Sequence, residues 1–272
     1  MTTATTAENN HVLPDIAISS VKEADDVMTR DLLRLSFEDR NAIDEEIHGV
    51  SNAFPAETME LMQTALHNLS AELLQIPNKP AFDKSQLLFP NDTYVNTLDF
   101  RLRFLRCELF DARKAAIRMV TFLDLLDELG FGNEVLRRPI QFSDLSKEDV
   151  KLFRVGFVQM LPFRDRSGRP ILAGVGTIGF QYDLIQRMRI HLYITFVFSN
   201  DVESQRKGMV NVLWPEGDFS EIQMPLHNDS RNLLKKVIAA APLRLVAVHI
   251  CFPDTLYFNL LRSFLILTFS SQ

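Results

Sequence analysis

Hydrophobic positions along the chain fall into two textures. Up to about residue 156 they recur at helical spacing, and beyond it they gather in short runs. Residues 1–28 are polar and unpatterned and are expected to form a mobile tail. Ser36 can cap a helix that carries Phe37, Ile43 and Ile47 on one face and stops at Gly49. A second helix is predicted over 55–75, with Met62, Leu66, Leu69 and Leu73 at helical spacing. Pro77, Pro80 and Pro90 make residues 76–90 read as a linker. A third helix is predicted over 94–109. A fourth runs from the N-cap Asp111 to about Leu129, with Ala115, Met119, Phe122, Leu123 and Leu126 as its buried stripe and Gly130 ending it. Ser146 and Asp149 form a capping-box pattern that opens a short helix ending near Gly156.

After Gly156, residues 157–161 and 171–175 read as strands around the polar turn Arg164-Asp165-Arg166-Ser167-Gly168. A helix over 181–198, a strand over 209–213, a helix over 230–241 and a strand over 245–251 follow, and a last helix starts near Asp254. Helices first, then strands alternating with helices, predict an α/β fold. Its expected parts are a helical N-terminal lobe over 29–156 and a second lobe over 157–272 built on a mixed, partly parallel sheet covered by helices.

Composition sharpens this. The chain has 272 residues, 46% hydrophobic and 24% charged, which excludes collagen-like and globally disordered classes. Two cysteines exclude a disulfide scaffold and fit a reducing compartment. The 21 Phe against four Tyr and one Trp give much apolar area with no polar handle, which suits a Phe-rich core, an oily cavity or a membrane-facing patch. The net charge of −6 argues against a general nucleic-acid binder. Residues 1–60 hold thirteen acids and four Lys/Arg, whereas 101–190 hold sixteen Lys/Arg and eleven acids. The middle can therefore face an anionic surface while the front end does not. The first ten residues have no basic or apolar region of a secretory signal, and no apolar stretch reaches the ~18 residues of a spanning helix. The expectation is a cytoplasmic protein, peripheral on membranes at most.

Candidate chemistry is thin. Gly174-Val175-Gly176-Thr177-Ile178-Gly179 matches the dinucleotide fingerprint, with Asp201 and Glu203 where a ribose-binding acid would stand. The third glycine is followed by bulky Phe180, Gln181 and Tyr182, so the next helix is expected to start later. Glu45 and His48 make half of a di-iron motif whose other half the sequence lacks. Cys107 and Cys251 sit in apolar contexts and read as buried small hydrophobes. No catalytic constellation, metal site or cofactor site assembles, so an enzyme is not expected.

Two segments carry a family resemblance. The first is Leu102-Arg103-Phe104-Leu105-Arg106-Cys107-Glu108-Leu109-Phe110-Asp111-Ala112-Arg113-Lys114-Ala115-Ala116, and the second is Arg164-Asp165-Arg166-Ser167-Gly168-Arg169-Pro170-Ile171. They resemble the helix pair and the D-x-x-G-R-P hairpin of CRAL-TRIO proteins, the cellular retinaldehyde-binding, tocopherol-transfer and yeast phosphatidylinositol-transfer type lipid carriers. A further match runs from Ala241-Pro242-Leu243-Arg244 through the strand to Cys251 and on to Phe258-Asn259-Leu260-Leu261-Arg262-Ser263-Phe264-Leu265, similar to the family's last strand and gating helix. The ordered set spans Tyr94 to the C-terminus. Under it, Phe104 and Leu105 are expected inside and Arg103 and Arg106 outside.

The resemblance implies binding, with intermembrane transfer, of a hydrophobic small molecule or phospholipid under a mobile C-terminal helix and transient contact with a membrane surface. Ile171, Leu172, Val210, Val212, Val246, Val248 and Ile250 would line the core and partly a pocket. Leu256, Phe258, Leu261, Phe264 and Leu265 would form the lid. Leu243 stands where phosphatidylinositol-transferring members carry a head-group acid, so phosphatidylinositol is not implied. The family continues past the gating helix with another strand and a Gly-Gly segment, so the chain is expected to be incomplete at its C-terminus. Two other readings stay open: a protein-interaction module on the same fold, and a dinucleotide-dependent oxidoreductase using Gly174, Gly176 and Gly179.

Overall fold

The structure, a computed structural model, describes residues 54–175, 182–214 and 228–251, without the side chains of 228–231. All of them belong to one unit, His48–Gln272. Thr58 opens helix α1, Met59–Gln75, by accepting the Leu61 N–H on its hydroxyl, and α1 buries Ala65, Leu69 and Leu73. Helix α2, Pro80–Leu88, replaces the expected linker. Pro80 sits at the helix start, where its missing N–H has no intrahelical partner to lose. Asp124 accepts the Ala81 N–H at 3.2 Å, and Ala81 and Ser85 are buried. Tertiary contact thus overrides the proline signal.

The expected third helix begins with a 3-10 turn, Tyr94–Asn96, and becomes α3 over Leu98–Cys107, capped by Thr97. The turn to α4, Ala112–Glu128, passes through Leu109 and Phe110 at φ of 52° and 66°. Phe110 is held there by burial against Phe54, with ring centroids 5.8 Å apart. Asp111 caps α4 through the Lys114 N–H. Ser146 and Asp149 form the expected capping box of α5, Lys147–Val155, which ends on Gly156 in the left-handed region.

Strand β1, Val158–Arg164, turns back antiparallel into β2, Pro170–Val175. The ladder slips between Met160 and Arg164. Helix α6, Leu184–Phe198, leads through α7, Val202–Lys207, into β3, Met209–Trp214, parallel to β2. Helix α7 was not legible as a separate element. Helix α8, Asn228–Ala240, precedes β4, Leu245–Ile250, parallel to β3. The sheet order is β1-β2-β3-β4. Parallel crossovers share one hand, so two that advance in the same direction put their helices on the same face, and α6 and α8 touch. The fold is α/β with a four-stranded mixed sheet among the described residues.

Two apolar cores form. The larger joins α1, α3, α4, α6 and α8 around Leu69, Phe104, Phe122, Phe196 and Val237. Much of the Phe excess described by the structure goes here. Phe100, Phe104 and Phe122 lie with neighbouring centroids 5.1–6.2 Å apart, and Phe196 stacks on Phe122 at 5.9 Å. The smaller core seats Leu152, Phe157, Val158, Leu172 and Met209 against Ile190 and Ile194 of α6.

His191 borders this second core, its ring edge-on to Phe157 at 5.6 Å. Burial, with Arg187 nearby, pushes its imidazole down to about 4. The unfolded chain would take up this proton below about 6.5, whereas the folded chain resists until about 4. Stability should therefore fall by about 2 kcal/mol between about pH 7 and 5. Urea midpoints across that window should show the slope, and His191→Phe should flatten it.

Gly208 connects α7 to β3 at φ +74°, ψ −166°, a conformation left to glycine. A Cβ there would stand 2.6 Å from the Arg244 carbonyl oxygen and 2.5 Å from a Val246 methyl. Gly208→Ala should cost about 2 kcal/mol or more in urea unfolding, because the Arg244 backbone just before β4 has to move.

Candidate functional site

Register divides the sheet's side chains into two faces. Leu172, Asn211 and Val248 lie side by side, as do Gly174, Leu213 and Ile250. Val158 and Met160 join them from β1. Leu172 and Val158 belong to the core under α6, so this face is committed to helix packing. On the opposite face Ile171, Val210 and Ala247 form one row. Gln159, Ala173, Val212 and His249 form the next. Val175 pairs with Trp214 at the carboxyl ends of the strands, and the Cys251 N–H donates to Leu213 O at 2.8 Å, continuing the ladder one residue further. Among the described residues, none of this second face belongs to either core. Ala173 and Val210 are buried, whereas Trp214 is 57% exposed and His249 and Cys251 are exposed.

The expected lining residues split accordingly. Ile171, Val210 and Val212 share the second face, and Leu172, Val248 and Ile250 share the first. Val246 lies on β4 where the register shifts, beside Gly208. Leu256, Phe258, Leu261, Phe264 and Leu265 lie outside the described residues. Sequence reasoning missed Ala173, Val175, Trp214, Ala247 and His249. Counting in steps of two from Ile171 along β2, and likewise along β3 and β4, would have found them.

Gly174 lies within β2, paired with Val158 and Leu213, and Gly176 and Gly179 lie outside the described residues. Helix α6 starts at Leu184 with Asp183 as its cap. Asp201 is the N-cap of α7. Burial works against its charge, but the Ser204 hydroxyl and N–H and the Arg164 guanidinium hold its carboxyl below the usual range.

The expectation for α3 is overturned at both arginines. Arg103 is 1% exposed and Arg106 is 8% exposed. Arg103 donates to Phe196 O, Ser199 Oγ, Asn200 Oδ1, Tyr94 Oη and Asp99 Oδ2, at 2.8–3.2 Å, and its guanidinium lies 4.5 Å from the Phe196 ring centroid. It thereby serves the carboxyl end of α6, where helix carbonyls lack intrahelical donors. Arg106 pairs with Glu57 at 2.5 Å and donates to Gln205 of α7. A planar fork of donors suits such sites. In the hairpin, the Asp165 carboxylate accepts the Ser167 and Arg169 N–H groups and pairs with the Arg169 side chain at 2.7 Å. Gly168 supplies the positive φ of 79° that the turn needs.

Many cations of the basic middle segment are matched internally. Arg118 pairs with Glu108, Arg138 with Asp144, Arg164 with Asp201 and Arg189 with Asp149. Cys107 is buried as expected, and burial pushes its thiol up to about 11, but Cys251 is exposed at the end of β4. It lies one residue past Ile250, the last residue of β4. Among the described residues no His, Cys, Asp and Glu side chains gather as a metal-binding group. No described helix is long and apolar enough to cross a membrane. No protein-family model matches the chain, and no curated protein matches it.

Proposed function

We propose that this protein binds a hydrophobic small molecule or the acyl part of a phospholipid on the second face of its sheet and carries it between membranes, as the CRAL-TRIO resemblance implies. One observation carries the reading. The sheet is apolar on both faces, yet among the described residues only the face bearing Leu172 is committed to the helical cores. The opposite face, around the buried Ala173 and Val210, offers the half-buried Ile171, Val212 and Ala247 and the exposed Val175 to something apolar. Ligands of open α/β sheets bind beyond the carboxyl ends of parallel strands, and here that edge carries the exposed Trp214. The hairpin held by Asp165 and Arg169 supports the resemblance, because those motif residues have a structural task.

The test is uptake by the full chain. Protein stripped with organic solvent is refolded, incubated with phosphatidylcholine–phosphatidylserine vesicles, re-isolated and weighed by native mass spectrometry. The expected result is a lipid adduct that Val212→Glu abolishes while circular dichroism stays unchanged, since an unpaired carboxylate on an apolar face is costly to cover. Protein that returns ligand-free from repeated exposures overturns the proposal.

A further inference from the structure

The second sheet face carries three hydrogen-bonding side chains among its described residues, Gln159, Trp214 and His249. They are not equivalent. Gln159 is used locally, its amide donating to Gly156 O at 2.8 Å. His249 is exposed and makes no hydrogen bond or ion pair with a described residue. It sits beside Val212 on β4, two residues before Cys251, close to the carboxyl edge that Val175 and Trp214 mark. The described part of the face has no Asp or Glu to repel an anion. It also lacks the group of cations that a phosphodiester head group would call for. Arg164 and Arg169 stand at the far end of β2 and are engaged by Asp201 and Asp165. Apolar sites that read their ligand do so with a small number of placed polar groups. Here the His249 imidazole and, at the strand ends, the indole N–H of the exposed Trp214 are left for that task.

We propose that the face takes a single-chain amphiphile with a terminal carboxylate, of the fatty-acid type, and that His249 is its specificity-determining residue. The imidazole N–H donates to the carboxylate near the strand ends, and the tail runs back over the half-buried Val212 and Ala247 toward Ile171. From Val175 to Ile171 the floor extends about 13 Å at the usual rise of a strand. This assignment rests on the proposed lipid-binding reading and narrows its ligand class from lipids in general to acids with one chain.

Trp214 is the chain's one tryptophan and lies on this face, so its emission reports occupancy without a label. The delipidated full chain is titrated with palmitic acid, hexadecanol, methyl palmitate and a diacyl phosphatidylcholine, each below its aggregation limit. Palmitic acid should bind tightest. His249→Ala should weaken it about tenfold and change methyl palmitate by less than about twofold, the difference expected for one hydrogen bond to a charged group. His249→Gln keeps a donor and should recover most of the loss, which also shows that the fold survives the substitution. Equal binding of acid, alcohol and ester, unmoved by His249→Ala, overturns the head-group assignment and leaves the hydrophobic-ligand reading standing. Preference for phosphatidylcholine over the acid overturns the ligand class. Binding of none of the four overturns this assignment, and the vesicle experiment then decides the broader reading separately.

Discussion

Replacing Arg103 with methionine should destabilise the protein by about 3–5 kcal/mol in chemical unfolding, the largest effect expected of any single change. The methionine fills part of the volume and supplies none of the donors. Phe196 O, Ser199 Oγ, Asn200 Oδ1 and Tyr94 Oη would all lose one at once. Each buried acceptor left unpaired costs roughly 1–3 kcal/mol; Phe196 O keeps the Ser199 hydroxyl, and water can relieve the groups near the exposed Asn200 and near Asp99, whose side chain is 61% exposed. Arg103→Lys keeps the charge but cannot present a planar fork to several acceptors, so it should recover less than half of the loss. A lysine variant with wild-type stability would mean that charge alone, rather than the fork, holds the end of α6.

Glu57→Ala ranks second. Its carboxylate, 6% exposed, is bound by Arg106 and Arg206 at 2.5 and 2.8 Å. Removing it leaves the 9% exposed Arg106 side chain with Gln205 as its remaining partner. Loss of one member of a buried pair costs about 3–5 kcal/mol, whereas replacing both by apolar groups is often near neutral. Glu57→Leu combined with Arg106→Met should therefore be more stable than Glu57→Ala alone, and a double-mutant cycle in urea measures the coupling.

The pair also has a pH signature. The Arg106 hydrogen bonds hold the Glu57 carboxyl below the usual carboxylate range, against the effect of burial and with help from Arg206. A depressed folded value stabilises above the unfolded value of about 4.3 and ceases to do so as pH falls through the folded value. The acid limb of the stability profile should accordingly be shallower in Glu57→Gln than in the wild type.

Sequence reasoning reached the elements whose signals are local. The stripe of α4, its Asp111 cap and the Ser146–Asp149 box of α5 are written within a few neighbouring residues, and all are present. It failed where the deciding partner is distant. Arg103 and Arg106 read as outward because charged side chains seldom enter a core unless paired. Their partners Ser199, Gln205 and Glu57 lie 96, 99 and 49 residues away. Pro80 read as a breaker because nothing local shows that Asp124 would receive the next N–H. The strands of the candidate site were legible as apolar runs, but their faces were not. A strand apolar on both sides carries no alternation that says which side meets the helices. That choice needed the pairing of Leu172 with Asn211 and the position of α6.

The slip in the β1 ladder between Met160 and Arg164 bears on how this protein behaves when concentrated. A sheet edge is a template on which a second molecule can add a strand. On the β1 side, Pro162 has no N–H to offer, and the irregular register breaks the even spacing of donors and acceptors. Among the described residues β1 is an edge strand, so backbone geometry disfavours edge-to-edge association there, a safeguard that survives in high salt, where the repulsion from a net charge of −6 is screened.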